Sequence, residues 1–175
     1  MNFESLEIDG ALGIRENTKN DFRGSFLRTW DINSKLGEFR INQASFTLNP
    51  NVGTLRGLHY QCEPFAENKV VFSPHGRIFD VILDLRAESS TFGKHVGFEI
   101  GPNCTFVGLY IPAGCAHGYL TLEENSTLIY YMDKEYSSSH SRGVLWNDPN
   151  YAIPWPQPPL HISDNDLSWK VTEQT

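Results

Sequence analysis

Short apolar runs broken by turn residues fill this chain almost from end to end, and no long segment repeats its apolar side chains at helical spacing. That pattern constrains the fold more than any other feature. The stretch "KVVFSPHGRIFDVILDLR" (69–86) reads as a strand, a Ser-Pro-His-Gly turn and a second strand. In the second strand Phe79, Val81, Leu83 and Leu85 share one face, and Ile78, Asp80, Ile82 and Asp84 the other. "HVGFEI", "FVGLYI", "GYLTL" and "TLIYYM" follow at short intervals, with Pro-Ala-Gly and Glu-Glu-Asn turns between the later ones. The tail "SDNDLSWKVTEQT" reads as a short helix capped by Ser163. Many short strands at this spacing imply an all-β antiparallel sandwich or barrel, an architecture that often holds ligand in its mouth. The length, 175 residues, fits a single domain over 1–175, with no repeat or linker.

Charge and cysteine usage narrow the function classes. A net charge of -7 argues against a nucleic-acid or acidic-membrane surface, and with only 14 Lys and Arg any cluster of them is informative. Cys62, Cys104 and Cys115 are odd in number and form no C-x-x-C pair. Neither a disulfide framework nor a zinc ribbon is expected, and the chain reads as cytoplasmic. "MNFESLEIDG" lacks the basic and apolar regions of a secretory signal. No apolar run reaches membrane-spanning length, since Asp80 and Asp84 interrupt "IFDVILDL".

Two segments break the apolar pattern. In "TLRGLHYQ" (54–61), Arg56 and His59 lie on a half-buried strand, where strict alternation puts them on opposite faces. Gly57 between them permits a bulge or bend that would turn both into one cavity. The alternative is a surface Arg and a hydrogen-bonded core His. In "PAGCAHGY" (112–119), Pro112, Gly114 and His117 form P-x-G-x-x-H, which resembles the second motif of the cupin superfamily. In many cupins that His binds metal, but a metal site also wants an H-x-H pair and a Glu on an earlier strand. Only His59 is present there, so the expectation is a cupin-like jelly-roll with no metal and no other cofactor.

Seven segments occur in a telling order: "DFRGSF" (21–26), "GTLRGLHYQ" (53–61), "DVILDLR" (80–86), "STFG" (90–93), "IPAGCAHGY" (111–119), "RGVLWNDP" (142–149) and "ISDND" (162–166). Together they resemble the dTDP-4-dehydrorhamnose 3,5-epimerase family over nearly the whole chain. "RGLHYQ" plus "AHGY" at this separation carries most of the signal. The resemblance implies a metal-free jelly-roll cupin, usually dimeric, acting on a nucleotide-diphospho-4-keto-6-deoxy sugar, here expected to be dTDP-linked.

The chemistry of such a substrate sets what the site must contain. A hydrogen on C3 or C5 is acidic because the C4 carbonyl takes the electrons as an enolate. Its removal needs a base, and an imidazole suits neutral pH; the resemblance gives that role to His59. A carboxylate should orient the imidazole, as in a His-Asp pair. Asp166 holds the matching position, with Asp164 a nearby competitor. The enolate oxygen needs a fixed cation or donor, which Lys69 matches. Inversion needs a proton from the opposite face. "LIYYMDKEY" offers Tyr130, Tyr131 and Tyr136, and Tyr130 matches the family acid. By the same resemblance Arg56 and Arg23 hold diphosphate, with Arg23 reaching across from a partner subunit. Phe26 and Tyr136 sandwich the base, and Gln43 and His117 supply polar contacts.

The chain also departs from the family pattern. Arg28, counted with the substrate-binding positions, stands where many members carry Glu. Ser45 and Thr47 replace Asn and Ser, Asn165 replaces Lys, Ser141 replaces Glu, and Phe72 replaces Arg. These changes fall on the expected rim of the pocket and bear on specificity. Two other functions share the resemblance. A keto-isomerase of the same substrates needs no acid on the opposite face, and a non-catalytic sugar-nucleotide module need not keep His59, Lys69, Tyr130 and Asp166 together.

Overall fold

In the computed structural model, which describes residues 1–15, 18–31, 36 and 38–172, the short apolar runs become strands. In chain order these are β1 (Asn2–Ser5), β2 (Leu12–Arg15), β3 (Lys19–Asp21), β4 (Gly24–Phe26), β5 (Gln43–Asn49), β6 (Leu55–Gln61) and β7 (Lys69–His75). They continue with β8 (Ile78–Asp84), β9 (His95–Ile100), β10 (Gly108–Ile111), β11 (Cys115–Thr121), β12 (Ser126–Met132) and β13 (Ser141–Gly143). One helical turn, α1 (Asp164–Leu167), follows, and Ser163 caps it by accepting from the Asp166 amide.

The strands form a six-stranded sheet, β1-β2-β10-β7-β12-β5, and a five-stranded sheet, β13-β6-β11-β8-β9. Every neighbouring pair is antiparallel. The fold is a cupin-like β-sandwich with a short helical tail. Val71, Leu109, Ile111 and Leu128 of the first sheet meet Ile78, Ile82, Ile100 and Tyr119 of the second. Each sheet also has its outer face covered. Leu58, Val81, Leu83 and Ala116 pack under Val144, Ile153 and Trp155. Ile14, Val70 and Phe72 pack under Leu27, Trp30 and Phe39. Burial on both faces explains why "VILDL" and "KVVF" read as near-continuous apolar runs.

The alternation expected in β8 holds, with Ile78 and Ile82 in the inter-sheet core and Val81 and Leu83 outside. The expected Ser73–Gly76 turn does not, because β7 runs on to His75. His75 pairs with Thr127 and Phe72 with Ile129, so β7 carries one extra residue against β12. Such a bulge tolerates Pro74, which has no N–H for the ladder.

A second bulge answers the question posed by "TLRGLHYQ". Arg56 opposes Tyr119 and His59 opposes His117, three residues of β6 against two of β11. Tyr119 lies on the inward face of β11, as does His117 two residues away, so the extra residue turns Arg56 and His59 inward together. Gly57 has φ +115°, and a Cβ there would stand 2.5 Å from the Gly118 Cα and 2.7 Å from the His117 carbonyl oxygen. Only glycine fits both the dihedral and the space.

β3 and β4 stand apart as a two-stranded hairpin with all six strand residues exposed. Among the described residues no helix is long and apolar enough to cross a membrane, and Cys62, Cys104 and Cys115 are free thiols.

Candidate active site

Between the two sheets, at the β5–β6 side, the inward face changes from apolar to polar. A cavity of about 700 Å³ opens there, lined by Arg56 and His59 of β6, His117 and Tyr119 of β11, Lys69 of β7, Tyr130 of β12 and Thr47 of β5. Residues 160–163, Asn165 and Asp166 border it on the tail side. The tail is held by main-chain bonds: the Leu160 and His161 amides donate to the Gly53 carbonyl at 2.8 and 3.1 Å, and Leu55 donates to His161 at 2.9 Å. From this anchor the Ser163 cap starts α1 and aims Asp166 back at β6.

Asp166 is 3% exposed, and its Oδ1 lies 2.6 Å from His59 Nε2. Its Oδ2 accepts from the Gly57 amide at 3.2 Å. With Nε2 engaged, Nδ1 is the imidazole nitrogen left with a lone pair. Burial pushes the Asp166 carboxyl up, but the His59 hydrogen bond and charge, the Gly57 amide and the Ser163 hydroxyl outweigh it and hold the group below the usual carboxylate range. Asp164, the competitor, is exposed at the start of α1.

A second imidazole–carboxylate pair sits beside the first. His117, the cross-strand neighbour of His59, places Nε2 2.9 Å from both carboxylate oxygens of Asp80. Asp80 is fully buried, and burial raises its proton affinity although His117 and Lys69 act the other way. Asp80 carried no expected role, although the sequence puts it on one face of its strand with Ile78 and Ile82. Its phase with Ile78 and Ile82, facing the interior, was the signal that it belonged to the site.

Tyr130 is half-buried, with its ring 6.3 Å from His117 and 6.5 Å from Tyr119. Burial first, then the Tyr119 hydroxyl and the Asp80 charge, push its phenol well above its ordinary value, so it stays protonated at neutral pH. Tyr131 points outward, with its hydroxyl 2.8 Å from Thr29 Oγ1 and its ring against Trp30 and Phe72. Tyr136 is exposed and lines a second cavity of about 460 Å³ with Gln43, Ser45 and Ser141. His59, Lys69 and Asn165 line both cavities, so the two adjoin.

Lys69 Nζ lies 2.9 Å from Glu67 Oε1 and donates to the His59 carbonyl at 3.2 Å. Arg56 Nε donates to Asn49 Oδ1 at 3.0 Å, and the Tyr119 hydroxyl donates to the same oxygen at 3.2 Å. Glu67, Asn49 and Tyr119 carried no expected role. Glu67 lies in a loop with no periodic pattern to mark it.

Not every expected residue reaches these cavities. Arg23 pairs with Asp21 at 2.6 Å on the exposed hairpin, and Arg28 with Asp31 at 3.2 Å. Phe26 and Arg28 line a separate depression on the outer side of the six-stranded sheet. Phe72, expected at the rim, is instead fully buried in the outer apolar layer. Thr47, Ser45, Ser141 and Asn165 do border the cavities. Among the described residues no three His, Cys, Asp or Glu side chains group as metal ligands.

Comparison with known proteins agrees over the whole chain. A family model described as dTDP-4-dehydrorhamnose 3,5-epimerase matches residues 5–174. The enzyme of that name from Sinorhizobium fredii is 36% identical over 172 residues, covering 96% of this chain and 88% of that protein. The Bacillus anthracis dTDP-4-dehydrorhamnose 3,5-epimerase, solved with TDP and PPi bound, superposes with a TM-score of 0.90 at 33% identity, covering 98% of this chain and 99% of that one. A Legionella pneumophila dTDP-6-deoxy-D-glucose-3,5-epimerase in complex with dTDP-4-keto-L-rhamnose gives 0.89 at 30% identity, covering 97% and 92%.

Proposed function

The chain belongs to the dTDP-4-dehydrorhamnose 3,5-epimerase family, and from that premise we propose which of its residues carry the reaction. It is an isomerase of the family's type, an epimerase acting at C3, C5 or both of a dTDP-4-keto-6-deoxy sugar. The observation that supports the residue assignment is that His59 and Tyr130 line one cavity from different sheets. A sugar ring lying between the sheets meets an imidazole on one face and a phenol on the other.

In this reading His59 Nδ1 takes the proton on the carbon next to the C4 carbonyl. Asp166, on the far nitrogen, fixes the tautomer and offsets the positive charge that forms. The electron pair moves to the C4 oxygen, which Lys69 stabilises by charge and hydrogen bond. Tyr130, protonated at rest, delivers its proton to the opposite face and takes one back from solvent. His59 returns its own proton to solvent, and the cycle closes without net change in protons. The keto-isomerase alternative has no use for the phenol and is the weaker reading.

Arg56 serves the diphosphate, and Gln43 and Tyr136 in the adjoining cavity serve the nucleotide. His117, held by Asp80, contributes a polar contact to the sugar. The protein acts as a cytoplasmic homodimer in which Arg23 and Phe26 complete the partner's nucleotide pocket. Two features support that assembly. The β3–β4 hairpin exposes Phe22 and Phe26, and the edge strand β5 carries exposed Phe46 and Leu48.

The test uses a dTDP-4-keto-6-deoxy sugar in deuterated water, followed by NMR. The wild-type enzyme inverts and labels C3, C5 or both. His59→Ala loses inversion and labelling together, because no enolate forms. Tyr130→Phe still labels the substrate while inversion falls about 10²–10⁴-fold. His59→Ala labelling at the wild-type rate would sink the assignment of the base.

A further inference from the structure

We propose that Glu67 is a positioning residue that aims the Lys69 ammonium at the substrate, a role that rests on the reading of Lys69 as the enolate-stabilising group. An ammonium has three N–H bonds in fixed tetrahedral directions. One is donated to the His59 carbonyl at 3.2 Å, and the Glu67 carboxylate holds the nitrogen in an ion pair, Nζ to Oε1, at 2.9 Å. Held at these two points, the ammonium directs its remaining N–H bonds from a fixed place on the wall that both cavities share. A flexible four-carbon stem becomes a directed donor.

Glu67 is itself held. It is 8% exposed, and its other oxygen, Oε2, accepts from Gln61 Nε2 at 2.6 Å. Gln61, also buried, donates to the Glu135 carbonyl at 3.1 Å and accepts from the Ser137 amide at 2.6 Å. Tyr136 lies between those two residues, on the wall of the nucleotide-side cavity. The chain Lys69–Glu67–Gln61–(135–137) therefore ties the cation at the sugar to the segment that meets the nucleotide. Glu67 does two things here. It sets a carboxylate 2.9 Å from an ammonium at a site only 9% exposed. It also transmits the position of the 135–137 segment to the reacting centre.

A residue that acts only through Lys69 should have no effect once Lys69 is gone. The experiment is a double-mutant cycle on kcat and on solvent deuterium wash-in, using Glu67→Ala, Lys69→Ala and the double variant, with thermal unfolding followed in parallel. Glu67→Ala is expected to lower kcat and wash-in together by about 10²-fold, the effect of misplacing a catalytic group by about an ångström. Its calorimetric affinity for dTDP is expected to stay near wild type. The double variant is expected to be no slower than Lys69→Ala alone. Glu67→Gln keeps shape but not charge and is expected to fall between wild type and Glu67→Ala; it carries the same cycle if the alanine variant does not fold. Losses that multiply in the double variant, or a Glu67 variant at the wild-type rate, would overturn the proposal. A Lys69→Ala enzyme at the wild-type rate would instead remove the role of Lys69 itself.

Discussion

Replacing Asp166 by Asn changes one atom and should cost far more than one hydrogen bond. The carboxylate meets two donors at once, His59 Nε2 at 2.6 Å and the Gly57 amide at 3.2 Å. An amide has a single oxygen for the two. With that oxygen on His59, the NH2 group faces the Gly57 N–H, donor against donor, at a residue that is 3% exposed. That arrangement costs about 1–3 kcal/mol. Turned over, the amide satisfies Gly57 but donates to Nε2, which forces the imidazole proton onto Nδ1 and removes the base. The competent arrangement is thus a minor state, roughly one part in 10 to 100. Loss of the charge that supports the imidazolium removes about another factor of ten. We expect kcat to fall about 10²–10³-fold. Asp166→Ala, which leaves the tautomer free, should be no worse than Asn. The assay is kcat by product NMR with deuterium wash-in alongside, on protein checked by circular dichroism. An Asn variant within about tenfold of wild type would show that the Gly57 amide does not dictate the amide orientation and that the tautomer argument is wrong.

Two further outcomes follow from features away from the base. Asp84 is buried and accepts from the Arg86 side chain at 2.7 and 2.8 Å and from the Ser89 and Thr91 hydroxyls at 2.6 Å each. Burial raises its proton affinity, but these donors together push it well below the usual range. A depressed folded value means the stabilisation is present above the unfolded value, about pH 4, and is lost as pH falls through the folded one. Asp84→Asn should therefore lower urea stability by about 1.5–3 kcal/mol at neutral pH, with the gap to wild type narrowing below about pH 4. The second outcome concerns assembly: light scattering should return a dimer, and Phe26→Ala should raise KM more than it lowers kcat. A fully active monomer would contradict the assembly.

Much of this was legible in the chain because it depended on local rules. The period-two pattern of β8, the Ser163 cap and the glycine between Arg56 and His59 are each set by a few adjacent residues, and each is found where those residues require it. The Ser73–Gly76 turn misled because proline is read as a breaker, while an antiparallel ladder can absorb it at a bulge. Phe72 misled because position in a motif says nothing about which layer covers a face. Here Leu27, Trp30, Leu36 and Phe39 cover it, far away in sequence. Glu67 was invisible because its importance lies in two distances, to Lys69 and to Gln61, that no spacing encodes.

His59 and Tyr130 belong to strands that never hydrogen-bond to each other, since β6 lies in the five-stranded sheet and β12 in the six-stranded one. What holds the two sheets apart beside the cavity is the interleaved layer of Ile78, Ile82, Leu109, Ile111 and Leu128. Packed sheets stand about 10 Å apart, and on the proposed mechanism that gap is a calliper closed on a sugar ring. The jaws are the imidazole and the phenol, and the screw is the greasy filling, against which Tyr130 packs and which does no chemistry itself. Stereochemical fidelity then depends on layer thickness, a quantity shared among many side chains, as well as on the acid and the base themselves. A family could change which carbon is inverted by shifting how the ring rests between the jaws, while leaving both jaws in place.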